Sequence, residues 1–165
     1  MCENERKVFE YEQSICLFGL FISSKETLFS QLAIFETMLN RFMTNICSDQ
    51  LAASKEFYCT LFQLKVNFDS DWFIQLIDEK TGLELGLIKR THEIVPSEYQ
   101  LSPQGFYLTF VVEDVEPIYT LAQQEQFMIV KAPHDTFYGQ RRLLLKDPDG
   151  ALVDVSAPIP NFQFQ

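Results

Sequence analysis

From residue 41 onward the chain spells one order of elements twice, a strand, a helix and three strands, with a period of about 65 residues. In the first copy residues 41–47 read as a strand, Ser48 and Asp49 as a helix cap, and residues 51–64 as a helix. Its apolar side is Leu51, Phe57, Tyr58, Leu61 and Phe62. Strands follow at 65–69, 72–78 and 83–89, the last two joined by a tight connection through Gly82. The second copy runs as a strand at 106–112, a cap at Glu113 and Asp114, a helix at 115–126, a strand at 127–131 and a hairpin of 142–146 with 151–156. A half-sheet written twice implies a cleft to which both halves contribute.

The closing hairpin is the most legible element. The run Leu143-Leu144-Leu145 meets Asp147-Pro148-Asp149-Gly150 and resumes as Leu152-Val153-Asp154-Val155. Pro148 presets one turn dihedral and Gly150 supplies positive φ, so the strands fold back on each other and Asp154 falls in the middle of the last one. Alternation puts Tyr107, Thr109 and Val111 on one face of their strand, toward the cleft, and Leu108, Phe110 and Val112 on the other, toward the helix. The same rule sends one of Arg141 and Arg142 into the cleft and the other away. An inward arginine favours an anionic or carbonyl-bearing ligand by bidentate hydrogen bonding, unless Asp154 or Glu84 pairs with it instead.

Other candidate ligand contacts are Asn45, a polar residue in an apolar strand, and the rings Trp72, Tyr107 and Tyr138. Trp72, the single tryptophan, is either a core ring or a stacking wall for a flat ligand. His92 and His134 read as loop residues, with His134 the weak candidate for a base, since a histidine near pH 7 can take up a proton.

The formal net charge of -10, with few paired basic residues, speaks against a nucleic-acid partner. Cys2, Cys16, Cys47 and Cys59 have no metal-binding spacing and sit in or beside apolar segments, as reduced thiols do, which fits a cytoplasmic protein. The apolar run 15–22 falls short of the about 20 residues a membrane span needs. Residues 1–37 read as a separate, partly helical extension, with a helix capped near Ser23 or Ser24, and residues 90–104, with Pro96 and Pro103, as a linker between the two copies.

The motifs in this order are Ser48-Asp49, the stretch from Ala52 to Tyr58, Leu83-Glu84-Leu85, Val112-Glu113-Asp114-Val115 and Lys146-Asp147-Pro148-Asp149-Gly150. Together they resemble the vicinal oxygen chelate superfamily of glyoxalase I, bleomycin- and fosfomycin-resistance proteins and extradiol dioxygenases. The resemblance spans residues 38 to about 158. It implies an α+β fold: two tandem βαβββ modules, 38–90 and 104–158, in a domain of 38–160. They form a U-shaped, incompletely closed barrel with its helices outside. Metal-dependent members hold a divalent ion with histidine on the first strand of each module and glutamate on the last. Here the matching positions are one of Arg41, Phe42 and Met43, then Glu84, Tyr107 and Asp154, so both histidines are missing.

Two functional readings follow from the resemblance. The first is a metal-free protein, similar to the bleomycin-resistance proteins and homodimeric, that binds a small aromatic or anionic molecule through Asn45, Trp72, Tyr107, Tyr138, Arg141, Arg142 and Asp154. The alternative is an enzyme: a divalent-metal lyase, isomerase or dioxygenase using Glu84 and Asp154, or a metal-free acid–base catalyst using His134 or Tyr107. Neither reading requires a membrane or nucleic acid.

Overall fold

The computed structural model describes residues 40–163. The expectations for residues 1–37, and for Cys2 and Cys16, lie outside them. Both copies of the repeat form. The first is β1 (Thr44–Ser48), α1 (Leu51–Phe62), β2 (Lys65–Asp69), β3 (Phe73–Asp78) and β4 (Leu83–Lys89). The second is β5 (Tyr107–Val111), α2 (Glu116–Gln124), β6 (Met128–Asp135), β7 (Gln140–Lys146) and β8 (Leu152–Pro158). Each makes a four-stranded mixed sheet, ordered β1-β4-β3-β2 and β5-β8-β7-β6. The first strand of each sheet pairs parallel to its last, and the hairpins are antiparallel. Neither sheet closes into a barrel, and the architecture is the α+β one expected.

The apolar parity of the strands builds one core. Ile46, Ile74, Leu76, Leu85 and Leu87 from the first sheet and Leu143, Leu145, Val153 and Val155 from the second are buried with Phe57, Tyr58 and Leu61 of α1. Phe62 stacks on Phe110 at 3.9 Å between ring centroids, and Phe57 meets Phe127 edge-on at 5.0 Å, so rings of the first copy lock onto the second. Leu108, Phe110 and Val112 pack against this core as alternation requires, leaving Tyr107, Thr109 and Val111 on the open face.

Several boundaries differ from the sequence reading. β1 starts at Thr44 rather than Arg41. No side chain caps α1 at Gln50; Ser48 only accepts the Gln50 N–H, and the Asp49 carboxylate turns to Arg90. The second copy anchors this end of the helix instead. Asp149, from the Pro148 turn, accepts the Asp49 N–H at 2.7 Å and the Ser54 hydroxyl at 2.5 Å, while Gln50 Nε2 donates to the Pro148 carbonyl. β6 runs to Asp135, past two register shifts, and so takes in Pro133 and His134, which the sequence placed in a loop. The linker holds a short 3₁₀ turn, Ser97–Tyr99.

Candidate functional site

Asp154 sits on β8 between Val153 and Val155, whose side chains face the core, so its carboxylate lies on the open face of the second sheet. It is nevertheless buried, because Arg142 covers it. Arg142 Nε and Nη2 donate to the two carboxylate oxygens, each at 2.9 Å, and the Thr109 hydroxyl donates to Oδ2 at 3.2 Å. The fork geometry is the strong bidentate form of the arginine–carboxylate pair, and with side-chain exposures of 20% and 6% it is well shielded from water. The bond to Asp154 also holds the guanidinium above its usual pKa, and Tyr138 is a further neighbour that acts on it. His134 pairs across β6 and β7 with Arg142, and its Nδ1 lies 3.0 Å from the Ala132 carbonyl. Tyr107, half exposed, stands on the same face at the head of β5.

Five of the expected residues therefore gather on one face: Tyr107, His134, Tyr138, Arg142 and Asp154. Arg141 is engaged elsewhere, since it shares the parity of Leu143 and Leu145. It reaches Glu116 at the start of α2 and Asp135 at the end of β6.

The first sheet carries the others. Asn45 pairs with Gly86 across β1 and β4, and the amide lies flat over that glycine. A Cβ placed on Gly86 would come within 2.0 Å of Asn45 Oδ1 and 2.9 Å of the Phe73 ring. Glu84 accepts from Gln75 Nε2, and Gln75 in turn accepts from Asn67 at 2.9 Å, a relay that runs across three strands. Trp72 presents its face to His92, the rings stacked at 4.3 Å and 15°, which gives the linker histidine a partner that the loop reading missed. His92 Nδ1 also accepts the Ile94 N–H.

A cavity of about 570 Å³ opens where the linker passes over β1, walled by Asn45, Cys47, Arg90, Tyr99, Leu101 and Phe106 among others. Cys47, Arg90, Tyr99 and Leu101 were not singled out from the sequence. Only their grouping by the linker marks them, and no local pattern encodes it. Partial burial pushes the Cys47 thiol up in pKa, and it donates to the Tyr99 carbonyl at 3.8 Å.

These donors do not fit the divalent ion that metal-dependent relatives hold. Continuing the β1–β4 register one residue back sets Met43 against Glu84, and Thr109, not Tyr107, stands opposite Asp154. A thioether and a neutral hydroxyl are poor ligands for a borderline or hard cation, and both Asp154 oxygens are held by Arg142. Among the described residues no three His, Cys, Asp or Glu side chains come together to hold a metal.

Two modules of this topology, each with an open face opposite its helix, define a paired βαβββ protein with polar groups on strand positions that other such proteins use for chemistry. The chain belongs to the Glyoxalase/Bleomycin resistance protein/Dioxygenase superfamily, whose family model matches residues 39–155. Among solved structures it is similar to a glyoxalase/bleomycin resistance protein/dioxygenase family enzyme from Burkholderia phytofirmans PsJN, with 21% identity, a TM-score of 0.62, and coverage of 71% of this chain and 97% of that one. A superfamily member from Sphaerobacter thermophilus DSM 20745 gives 17% identity and a TM-score of 0.60 over 73% and 98%. A lactoylglutathione lyase from Agrobacterium tumefaciens gives 17% and 0.57 over 73% and 95%. At these identities the likeness establishes the fold. No curated protein matches the chain. No helix among the described residues is long and apolar enough to cross a membrane.

Proposed function

We propose that this protein binds a small aromatic or anionic organic molecule on the open faces of its sheets without a catalytic metal, and that it works as a homodimer in the cytoplasm. The observation that carries the reading is the Arg142–Asp154 pair, in which a guanidinium takes both oxygens of the carboxylate that the resemblance sets at the metal-ligand position of the last strand. Nε and Nη2 hold the carboxylate and Tyr138 bonds the guanidinium as well, so this charged group and its tyrosine, with the ring of Tyr107 on the same face, form the surface offered to a ligand oxygen. Exposed Tyr107, Val111 and Phe68 on strands supply apolar surface for a ligand or a second copy to cover. Cys47 and Cys59 as free thiols suit a reducing compartment.

Calorimetric titration of the full chain with manganese, nickel, zinc and magnesium should give no tight stoichiometric binding, whereas titration with aromatic carboxylates such as benzoate and naphthoate should give saturable heats from which Arg142→Ala removes one equivalent. Sedimentation should return twice the chain mass of 19.2 kDa. Tight one-to-one metal binding, with a chelator-sensitive turnover of methylglyoxal hemithioacetal or a catechol, would favour the enzyme reading instead.

A further inference from the structure

We propose that the cavity between β1 and the linker is a second binding site, separate from the Arg142 face, for a flat ring-bearing organic anion. Its volume, about 570 Å³, lies within the range of about 300–1,000 Å³ that small-molecule clefts occupy. The linker builds most of the wall, and none of the lining residues belongs to the Arg142 group.

Polar bonds hold that wall open. The Arg90 N–H donates to the Ser48 carbonyl at 2.9 Å, fixing the start of the linker to the end of β1. Arg90 Nη1 donates to the Gln100 carbonyl at 2.9 Å, and Gln100 Nε2 returns to the Val95 carbonyl at 2.9 Å. With the Cys47 thiol on the Tyr99 carbonyl, the segment from Val95 to Leu101 is tied to strand and linker root. A site ordered before its ligand arrives avoids much of the entropy cost of binding.

The chemistry of the lining selects the ligand. Tyr99, Leu101 and Phe106 are 68%, 67% and 43% exposed, an unusual concentration of uncovered apolar surface around one hollow. Arg90 is the one charged residue of the lining, which contains no carboxylate. Its Nε donates to Asp49 at 2.8 Å and Nη1 to Gln100, while Nη2 has no acceptor among the described residues. Asn45, Ser102 and Gln104 add neutral donors and acceptors. A ring against Phe106 and Leu101 with an acidic head at Arg90 Nη2 satisfies each of these groups.

The test uses the full chain with two dyes of the same ring system, 8-anilino-1-naphthalenesulfonate and the uncharged N-phenyl-1-naphthylamine. Fluorescence should rise saturably, one equivalent of each dye filling this cavity and the sulfonate about tenfold more tightly, the size of one charge-assisted hydrogen bond; a further equivalent of the sulfonate belongs to the Arg142 face. Saturation should protect Cys47 from iodoacetamide, read by peptide mass mapping, while Cys59 labelling is unchanged. Phe106→Ala should weaken both dyes at this cavity about tenfold, Arg90→Gln should erase the preference for the sulfonate there, and Arg142→Met combined with Asp154→Leu should leave the protection of Cys47 as it was. Because Arg90 also pins the linker, protection of Cys47 in the unaltered chain is the measurement that stands without any variant. Dye binding that leaves Cys47 fully reactive, that ignores Phe106→Ala, or whose protection of Cys47 is lost in Arg142→Met combined with Asp154→Leu would overturn the proposal; the last result would place the dye on the Arg142 face and leave the primary reading intact.

Discussion

Arg142→Ala should lower the free energy of unfolding by about 2–3 kcal/mol, less than stripping one partner from a fully buried ion pair, because water enters where the guanidinium lay. The carboxylate, 4% exposed while the guanidinium covers it, then keeps only the Thr109 hydroxyl, at 3.2 Å, and such water as enters the gap. One weak neutral donor cannot replace two charge-assisted bonds. Removing both charges is a different matter. In Arg142→Met combined with Asp154→Leu nothing remains uncompensated, and buried pairs replaced by apolar groups of similar volume often return to parental stability or exceed it. The double variant should therefore lie within about 2 kcal/mol of the original protein, with strong coupling between the two sites in the cycle. Urea titration followed by the emission of Trp72, the single tryptophan, measures all four members. If Arg142→Ala cost less than about 1 kcal/mol, the pair would be behaving as a surface bridge, and its place as the organising charge of the site would fall with it.

That pair also marks what could be read from the sequence and what could not. Both arginines were visible as candidates, and the parity of Leu143 and Leu145 contains the answer. Arg141 shares their side and leaves toward Glu116, while Arg142 shares the side of Leu144 and meets Asp154 through the Leu144–Asp154 and Arg142–Ser156 register. The hairpin at Pro148 and the alternation of β5 were likewise legible, because turn chemistry and period-two patterning act over a few residues. His134 was misplaced for a physical reason: Pro133 and two register shifts make an edge strand look like a loop. The bond from the Ser54 hydroxyl to Asp149 that anchors the start of α1 joins residues 95 apart in sequence and has no local signature. The cavity walls depend on how the linker folds over β1, which no short-range rule specifies, and so Cys47 and Tyr99 went unseen as a pair.

Asp147 shows how the same turn sets a pH dependence. Its side chain is 3% exposed, with Oδ1 accepting the Ala151 N–H at 2.7 Å and Oδ2 the Tyr58 hydroxyl at 2.8 Å. Burial raises its pKa above the ordinary 3.8, and the two bonds only partly offset that. The sign follows from linkage. Between the unfolded value and the higher folded one, the folded chain keeps a proton that the unfolded chain has released, so stability falls as pH rises through that window and the full cost is present at neutrality. Asp147→Asn should remove the cost and keep both contacts, the amide oxygen accepting from Ala151 and the amide nitrogen donating to the Tyr58 oxygen. Relative to this variant, the original protein should lose stability as the buffer is moved from about pH 4 to about pH 7. Tyr58→Phe should act in the opposite sense, costing about 2–3 kcal/mol at neutral pH because a buried charged oxygen loses its donor. Without the phenol the carboxyl pKa climbs further, so that loss should shrink as the medium is acidified toward the folded pKa. Urea midpoints of the three proteins across this range measure both effects. A Tyr58→Phe penalty that stayed constant from acid to neutral pH would mean that the phenol supports the helix packing alone, with no influence on the charge beneath it.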